Sequence, residues 1–246
     1  MPEATTRPLV AGVDGCPGGW IAVTRAVGGD PAPAFRFFSR FADLVSLDPA
    51  PVILAVDMPI GLAERSGVGG RGPERLIRPL LGERQSSVFS VPSRRAVMCE
   101  DYGAACQAAL ETSEPPRKVS RQAFNLFPKI REIDAVMTRQ LEARIYEVHP
   151  ELAFWRLNGE APMSLPKKVR NKGSMPGIEQ RRALLGGFGY EVAFWELKRP
   201  SGVGADDLVD AAVNAVIAER ILKGDAQSFP PEPERDAKGL RMAIWA

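Results

Sequence analysis

Apolar runs separated by glycine-rich turns open the chain. Residues 9–13 form the first run, which ends at Asp14 and is followed by Gly15, Pro17, Gly18 and Gly19. A second run covers 20–26, a turn follows at Gly28-Gly29-Asp30-Pro31, and a third run covers 34–41. This pattern predicts a three-stranded antiparallel meander. A short helix is expected over 41–47, closed by Asp48-Pro49. Residues 51–56 are almost wholly apolar, as in a strand covered on both faces, and this predicted fourth strand ends at Asp57 before Met58-Pro59-Ile60-Gly61.

The pattern then changes. Residues 62–140 are rich in Arg, Gly, Ser and helix formers with little strand signal, and read as a mostly helical insertion. A fifth strand is expected over 144–148, running into Glu147-Val148-His149-Pro150-Glu151. Residues 160–176 read as a polar loop and 179–185 as a helix, while 190–197 fits strand or helix. The clearest helix is 206–223, with Asp206 suited to the N-cap and Gly224 to the C-terminal stop. Residues 239–245 read as a last strand or tail. The expected whole is one α/β domain over 1–246, a mixed five-stranded sheet flanked by helices, with the insertion between strands four and five.

Composition narrows the class. A chain with 45% hydrophobic and 25% charged residues is an ordinary globular protein. Three cysteines, Cys16, Cys99 and Cys106, lack paired metal-ligand spacing, which points to a reducing compartment and away from zinc. His149 is the only histidine, excluding any site that needs two. The N-terminal residues are polar, and no stretch approaches the roughly 20 apolar residues of a membrane span. A cytoplasmic protein is expected. The net charge of +2 says little about partners, but its distribution says more: Lys167, Lys168, Arg170, Lys172, Arg181 and Arg182 face Glu179 alone within 161–182. Such a segment is a candidate phosphate-binding surface.

The chemistry lies in acids at element ends. If strand four lies parallel to strand one and beside it, Asp14 and Asp57 meet at one sheet edge, where open α/β sheets place their sites. The late helix adds Asp207 and Asp210, spaced i and i+3 on one face. Acids gathered without Lys or Arg neighbours repel one another and raise their own pKa values. Hard divalent cations such as Mg²⁺ or Mn²⁺ relieve that repulsion, and a pair of them can drive phosphodiester hydrolysis. Asp14 could instead serve the turn alone, and Asp207 the helix dipole. Asp210 sits one turn further in, on an apolar helix that offers no cation before Arg220, so capping explains it poorly.

The order Gly12-Val13-Asp14-Gly15, Asp57-Met58-Pro59-Ile60-Gly61, Glu147-Val148-His149-Pro150-Glu151 and Asp206-Asp207-Leu208-Val209-Asp210-Ala211 resembles the predicted RNase H-like nucleases catalogued as a domain of unknown function. Residues 82–89 and 118–122 share the likeness, which runs from about residue 9 to about 222. Asp207-x-x-Asp210 also resembles the last acidic pair of RuvC-type resolvases. The resemblance implies an RNase H-like sheet with a helical insertion. RNase H-type sites also carry a glutamate on the helix after strand three, where this chain offers only Asp43; Glu147 stands as the substitute.

The expected activity is metal-dependent hydrolysis of a nucleic acid, DNA or RNA, by a two-metal mechanism. Asp14, Asp57, Asp207 and Asp210 are the expected Mg²⁺ or Mn²⁺ ligands, and Glu147 a fifth ligand or water-orienting group. Arg84, Ser86, Ser87, His149, Lys167, Lys168, Arg170 and Lys172 are the candidate substrate contacts. Each has a plainer reading. Arg84, Ser86 and Ser87 could order a loop, a lone histidine is more often structural, and a lysine run is often only solvated. Lys118, Arg121 and Lys129 read as the solvated face of a helix, and Cys16 as structural. Two rival functions remain open: an actin-like or sugar-kinase-like nucleotide phosphotransferase, disfavoured by the lack of a Gly-x-x-x-x-Gly-Lys-Ser/Thr run, and a non-catalytic module that binds nucleic acid or protein.

Overall fold

A computed structural model describes residues 7–29, 31–169 and 172–246. Residues 1–6 of the polar N-terminus, Asp30 of the expected turn and Arg170 of the basic run lie outside the described residues. In chain order the elements are β1 (Leu9–Cys16), β2 (Gly19–Ala26), β3 (Ala34–Phe38), α1 (Phe41–Val45) and β4 (Ile53–Val56). Next come α2 (Gly72–Ile77), a 3-10 helix (Arg78–Ser87), α3 (Arg94–Val97), α4 (Tyr102–Thr112), α5 (Arg121–Phe124) and α6 (Phe127–Val136). A second 3-10 turn (Leu141–Ala143) leads into β5 (Ile145–Glu147), α7 (Pro150–Leu157), β6 (Lys168–Val169), β7 (Lys172–Gly173), α8 (Met175–Gly186) and α9 (Val192–Glu196). The chain closes with α10 (Ala205–Lys223), β8 (Ser228–Phe229) and β9 (Ile244–Trp245).

The main sheet has five strands in the order β3-β2-β1-β4-β5. The first three form an antiparallel meander, and β4 and β5 add in parallel to β1. Both faces are covered because alternate residues of each strand are apolar on both sides. Ala11, Val13, Trp20, Leu54 and Val56 pack against α4, α6 and their neighbours, while Val10, Ile21, Val23, Ile53 and Ala55 pack against α7, α8, α9 and α10.

One glycine sets how close α10 comes. A Cβ on Gly12 would lie 2.0 Å from the Ala215 amide nitrogen and 2.2 Å from the Ala211 carbonyl oxygen. Only a residue without a side chain lets the helix lie on β1 at this depth. Asn214, fully buried, then donates its Nδ2 to the Val13 carbonyl at 3.0 Å and fixes the helix in register with the strand.

Several elements depart from the sequence pattern. β1 runs past Asp14 to Cys16, because residues 14–16 continue to pair with β2. Gly204, not Asp206, is the N-cap of α10; it has no side chain to cap with, and the Asp207 carboxylate instead reaches back to accept the Gly204 N–H at 2.9 Å. Gly224 does end that helix, with a left-handed φ of 76°. The loop expected over 160–176 contains the short β6–β7 pair, and α8 begins at Met175, four residues before the expected start. Residues 190–197 resolve as helix α9, since Phe194 must bury beside Tyr190 and Phe35. The C-terminal strand is confined to Ile244–Trp245. Among the described residues no helix is long and apolar enough to cross a membrane.

Candidate functional site

Asp14 and Asp57 stand one residue beyond the paired positions Val13 and Val56 of two adjacent parallel strands. The Asp57 amide donates to the Val13 carbonyl at 3.0 Å, tying the two strand ends together. α10 enters from the face that Gly12 leaves open and brings Asp210, 5% exposed, against this pair. The Asp14 Oδ1 accepts the Gly15 amide at 2.8 Å.

These carboxylates feel one another. Burial raises the Asp14 carboxyl well above its ordinary range, and the charges of Asp57, Asp210 and Asp207 add to the shift. Asp57 is pushed up to about 7 by burial and by Asp210. Asp210 is pushed up to about 6 by burial, with Lys167 pulling the other way. Asp207 is raised mainly by burial, though the hydrogen bond from Gly204 counters it. Asp207 therefore shares the charge of the cluster while its Oδ2 caps the helix.

The expectation of acids without a cationic neighbour is corrected by Lys167. Its ammonium forms an ion pair with the Asp210 Oδ2 and stands 3.9 Å from the Glu151 Oε1. Burial works against that charge, but Asp210 and Glu151 outweigh it and hold the Lys167 pKa above its ordinary value. The cation comes from a distant stretch of chain, which the sequence of α10 could not show. Asp210 still has its Oδ1 buried without a hydrogen-bond partner, an arrangement that is costly unless something else satisfies it.

Glu147 has a different environment. Its Oε2 accepts the Ile60 amide at 2.7 Å and its Oε1 accepts from Arg71 at 2.5 Å. Burial raises it to about 7, with Arg71 acting in the opposite direction. Both oxygens are thus engaged by Ile60 and Arg71. The fifth strand is shorter than expected: β5 ends at Glu147, and His149 is the N-cap residue of α7. Burial lowers its pKa to about 4, so it is a neutral imidazole. Its Nε2 faces the Ser87 carbonyl oxygen at 3.4 Å. Asp57, Glu147 and His149 share the lining of a small cavity of about 20 Å³ with Phe89 and Val91, room for about one water molecule.

The other candidates spread outward. Arg84 pairs with Glu83 at 2.9 Å, and the Ser87 hydroxyl donates to the Arg84 carbonyl at 2.8 Å, so both order the 3-10 segment. Ser86 is exposed on the same segment. Lys168 pairs with Asp206 at 2.6 Å. Of Lys172 only the backbone, in β7, is described. Asp43 pairs with Arg40 on the surface and is no part of the cluster.

Three residues complete the site that sequence reasoning passed over. Glu151, in the first turn of α7, receives two hydrogen bonds at 2.8 and 2.7 Å from Arg181, a fully buried arginine. Only the position of Glu151 two residues after His149 hinted at it, and nothing marked Arg181 out from its basic neighbours. Lys129 is the third. It is no solvated helix residue: its Nζ donates to the Gly19 carbonyl at 2.5 Å and lies over the Trp20 ring. Burial lowers its pKa, while the charges of Cys16, Asp14 and Asp207 support the protonated form.

These are hard oxygen donors, carboxylates whose mutual charge Lys167 offsets only in part and one buried oxygen without a partner. Among the described residues, however, no group of three or more His, Cys, Asp or Glu side chains is placed to hold a metal ion.

Neither the curated proteins nor the solved structures contain a significant match to the chain. The match is to a family model covering residues 12–235, from the strand that carries Asp14 past the helix that carries Asp210. The chain belongs to the family described as "Protein of unknown function (DUF429)".

Proposed function

We propose that the chain is a divalent-metal-dependent phosphodiesterase on an RNase H-like sheet, with a nucleic acid as substrate. The strand order β3-β2-β1-β4-β5, with an antiparallel meander and two parallel additions, supports the fold reading. On that reading the described chain is one domain, and residues 62–140 form a helical insertion between β4 and β5 that flanks the site.

The observation that carries the proposal is the trio of buried Asp14, half-buried Asp57 and buried Asp210, raised in pKa by burial and mutual charge, with the Asp210 Oδ1 unsatisfied. A structural role would have given the Asp210 Oδ1 a partner, and a cation-binding role accounts for its having none. Bound Mg²⁺ or Mn²⁺ would supply Lewis acidity towards a phosphate oxygen. Hydrolysis adds the oxygen of water to phosphorus, breaks one P–O ester bond and places a proton on the leaving oxygen. The chain's own part is to hold the acids at one sheet edge through β1, β4 and Gly12. His149 is neutral at physiological pH and lines the cavity beside Asp57, where it can accept a hydrogen bond from water. Arg84 and the β6–β7 segment lie on the elements that flank this edge and would meet the nucleic-acid backbone.

The test is cleavage of labelled single-stranded and duplex DNA and RNA, and of bis-(p-nitrophenyl) phosphate, with Mn²⁺ or Mg²⁺. Activity should vanish with a chelator, and Asp57→Asn should lower it roughly 1000-fold, about 4 kcal/mol of barrier, while the variant remains folded. Cleavage that survives both changes, or none on any substrate with either metal, would sink the proposal.

A further inference from the structure

A groove of about 290 Å³ runs between α2 and the C-terminal segment, a volume near the lower end of the range of small-molecule sites. No residue lines both this groove and the cavity beside Asp57. Its walls are held in place. Met242, buried at the floor, presses on Gly61, where a Cβ would lie 2.8 Å from the Met242 Cγ. The Met242 amide donates to the Glu234 carbonyl at 2.9 Å, tying the floor to one wall. The opposite wall is the first turn of α2, whose N-cap residue Arg71 donates to the Ile60 and Gly61 carbonyls at 2.8 and 2.7 Å. Both walls rest on the same turn of chain, so the opening between them is preformed.

The lining is carbon surface with three unanswered charges. Pro73, Pro230 and Met242 supply part of the carbon, and Leu76 stands 46% exposed one residue before the fully buried Ile77. Glu232 and Glu234 are exposed on the wall formed by the C-terminal segment. The cations near them in the chain are engaged elsewhere: Arg235 and Arg241 pair with Glu142, and Lys238 with Asp134. On α2, Arg75 donates its Nη1 to the Gly70 carbonyl at 2.9 Å. Its Nη2 stands 4.0 Å from where a Gly72 Cβ would lie, at the edge of the groove. The acid beside it, Glu74, is taken by Arg71. Among the described residues, one guanidinium and two carboxylates thus line the groove from opposite walls without ion-pair partners.

We propose that this groove binds a basic amino acid, arginine or lysine. The ligand carboxylate meets the Arg75 guanidinium, its two cationic groups meet Glu232 and Glu234, and its aliphatic stem lies on Leu76 and Met242. The charges then match one for one. A neutral apolar ligand would cover all three groups without pairing them, and a simple diamine would set a cation against Arg75. The two carboxylates likewise disfavour a phosphate backbone. The assignment is independent of the acids at the ends of β1 and β4 and of the reaction proposed for them.

The experiment is isothermal titration calorimetry of the full chain with L-arginine, L-lysine, agmatine, which lacks the carboxylate, and norvaline, which lacks the side-chain cation. It is repeated on the double variant Glu232→Gln/Glu234→Gln, on Arg75→Met and on Leu76→Trp, all at exposed positions and each checked for folding by melting. Wild type should bind arginine or lysine, with agmatine and norvaline weaker by roughly tenfold, about 1.4 kcal/mol each. The double variant should lose arginine by a similar factor. Arg75→Met should bind arginine and agmatine alike, and Leu76→Trp, which fills the groove, should bind neither. No binding of either basic amino acid at millimolar concentration overturns the inference. So does norvaline binding as tight as that of arginine, or arginine binding unchanged in the folded double variant. Should Leu76→Trp not fold, the double variant and Arg75→Met decide, because both change only the charges at the groove.

Discussion

Two buried charged regions lie side by side in this molecule, at the ends of β4 and β5. Around Arg71 every donor and acceptor has a partner. Its Nη1 donates to the Ile60 and Gly61 carbonyls at 2.8 and 2.7 Å. Its Nη2 donates to Glu74 at 2.6 Å and to Glu147 at 2.5 Å, and its Nε to Glu74 at 3.0 Å. The remaining oxygens of Glu74 and Glu147 accept the Arg71 and Ile60 amides. Around Asp210, by contrast, three carboxylates share one ammonium and a buried oxygen has no partner. Burial of acids is common to both regions, so burial alone does not identify a site. What separates them is whether the charge has been answered: the first region is complete as a structural clamp, and the second is left able to take a cation.

The sharpest way to break that contrast is to unpair the clamp. Arg71→Met keeps the volume but strands Glu74 and Glu147, and should cost about 3–5 kcal/mol of stability. Added Mn²⁺ should rescue little of it, because the other oxygen of each acid stays engaged by the Ile60 and Arg71 amides. Urea unfolding with and without the ion measures both. A metal-rescued Arg71→Met would mean that the two regions are one site.

A smaller effect of opposite sign is expected on the other side. Asp57→Asn removes repulsion without removing an ion pair, and at pH 8 it should stabilise the metal-free protein by about 1 kcal/mol, roughly 2–4 °C in melting temperature. The pH dependence follows from the same groups. Asp57 and Glu147 at about 7 and Asp210 at about 6 lie above their unfolded values, so they stabilise the fold in acid and lose that contribution as pH rises through their folded pKa values. His149, at about 4, lies below its unfolded value and contributes the other way, losing stability as pH falls towards 4. Three acids outweigh one imidazole, so the metal-free melting temperature should fall between about pH 5 and about pH 8. Asp57→Asn should flatten the fall, and Mn²⁺ should reverse it, since the ion needs the acids deprotonated. A metal-free melting temperature that climbs over this range would contradict the burial argument.

The smallest effect belongs to the rim. Lys168 has a side chain 53% exposed and pairs with Asp206, so Lys168→Ala should change stability by less than about 1 kcal/mol. If it meets phosphate, nucleic-acid affinity should weaken, with a salt slope shallower by roughly 0.7–0.9. Unchanged binding and salt dependence would leave it as a solvated partner of Asp206.

The acids of the site were legible because their signals are local. Asp14 and Asp57 each follow an apolar run and precede a glycine- or proline-containing turn, and Asp210 interrupts an apolar helix at a position where capping does not reach. The meander, the apolar fourth strand and α10 were legible for the same reason, since period and turn chemistry are written in consecutive residues. The counter-charges were not. Lys167 lies 43 positions from Asp210, Arg71 76 from Glu147 and Arg181 30 from Glu151, and an ion pair between distant residues leaves no spacing to read. Lys129 was misread because its neighbours suggested a wet helix face, while the Trp20 ring that it lies over comes from β2.

What the amino-acid order determined by itself was therefore the set of elements and the acids at their ends, because each depends on neighbours in the chain. Which acids would be neutralised, and which left to face one another, was decided only when Gly12 let α10 down onto β1 and Gly177 let the Lys167 stretch down onto α8. Those close approaches are tertiary events, set by the absence of two side chains, and charge acts through the distances that they create.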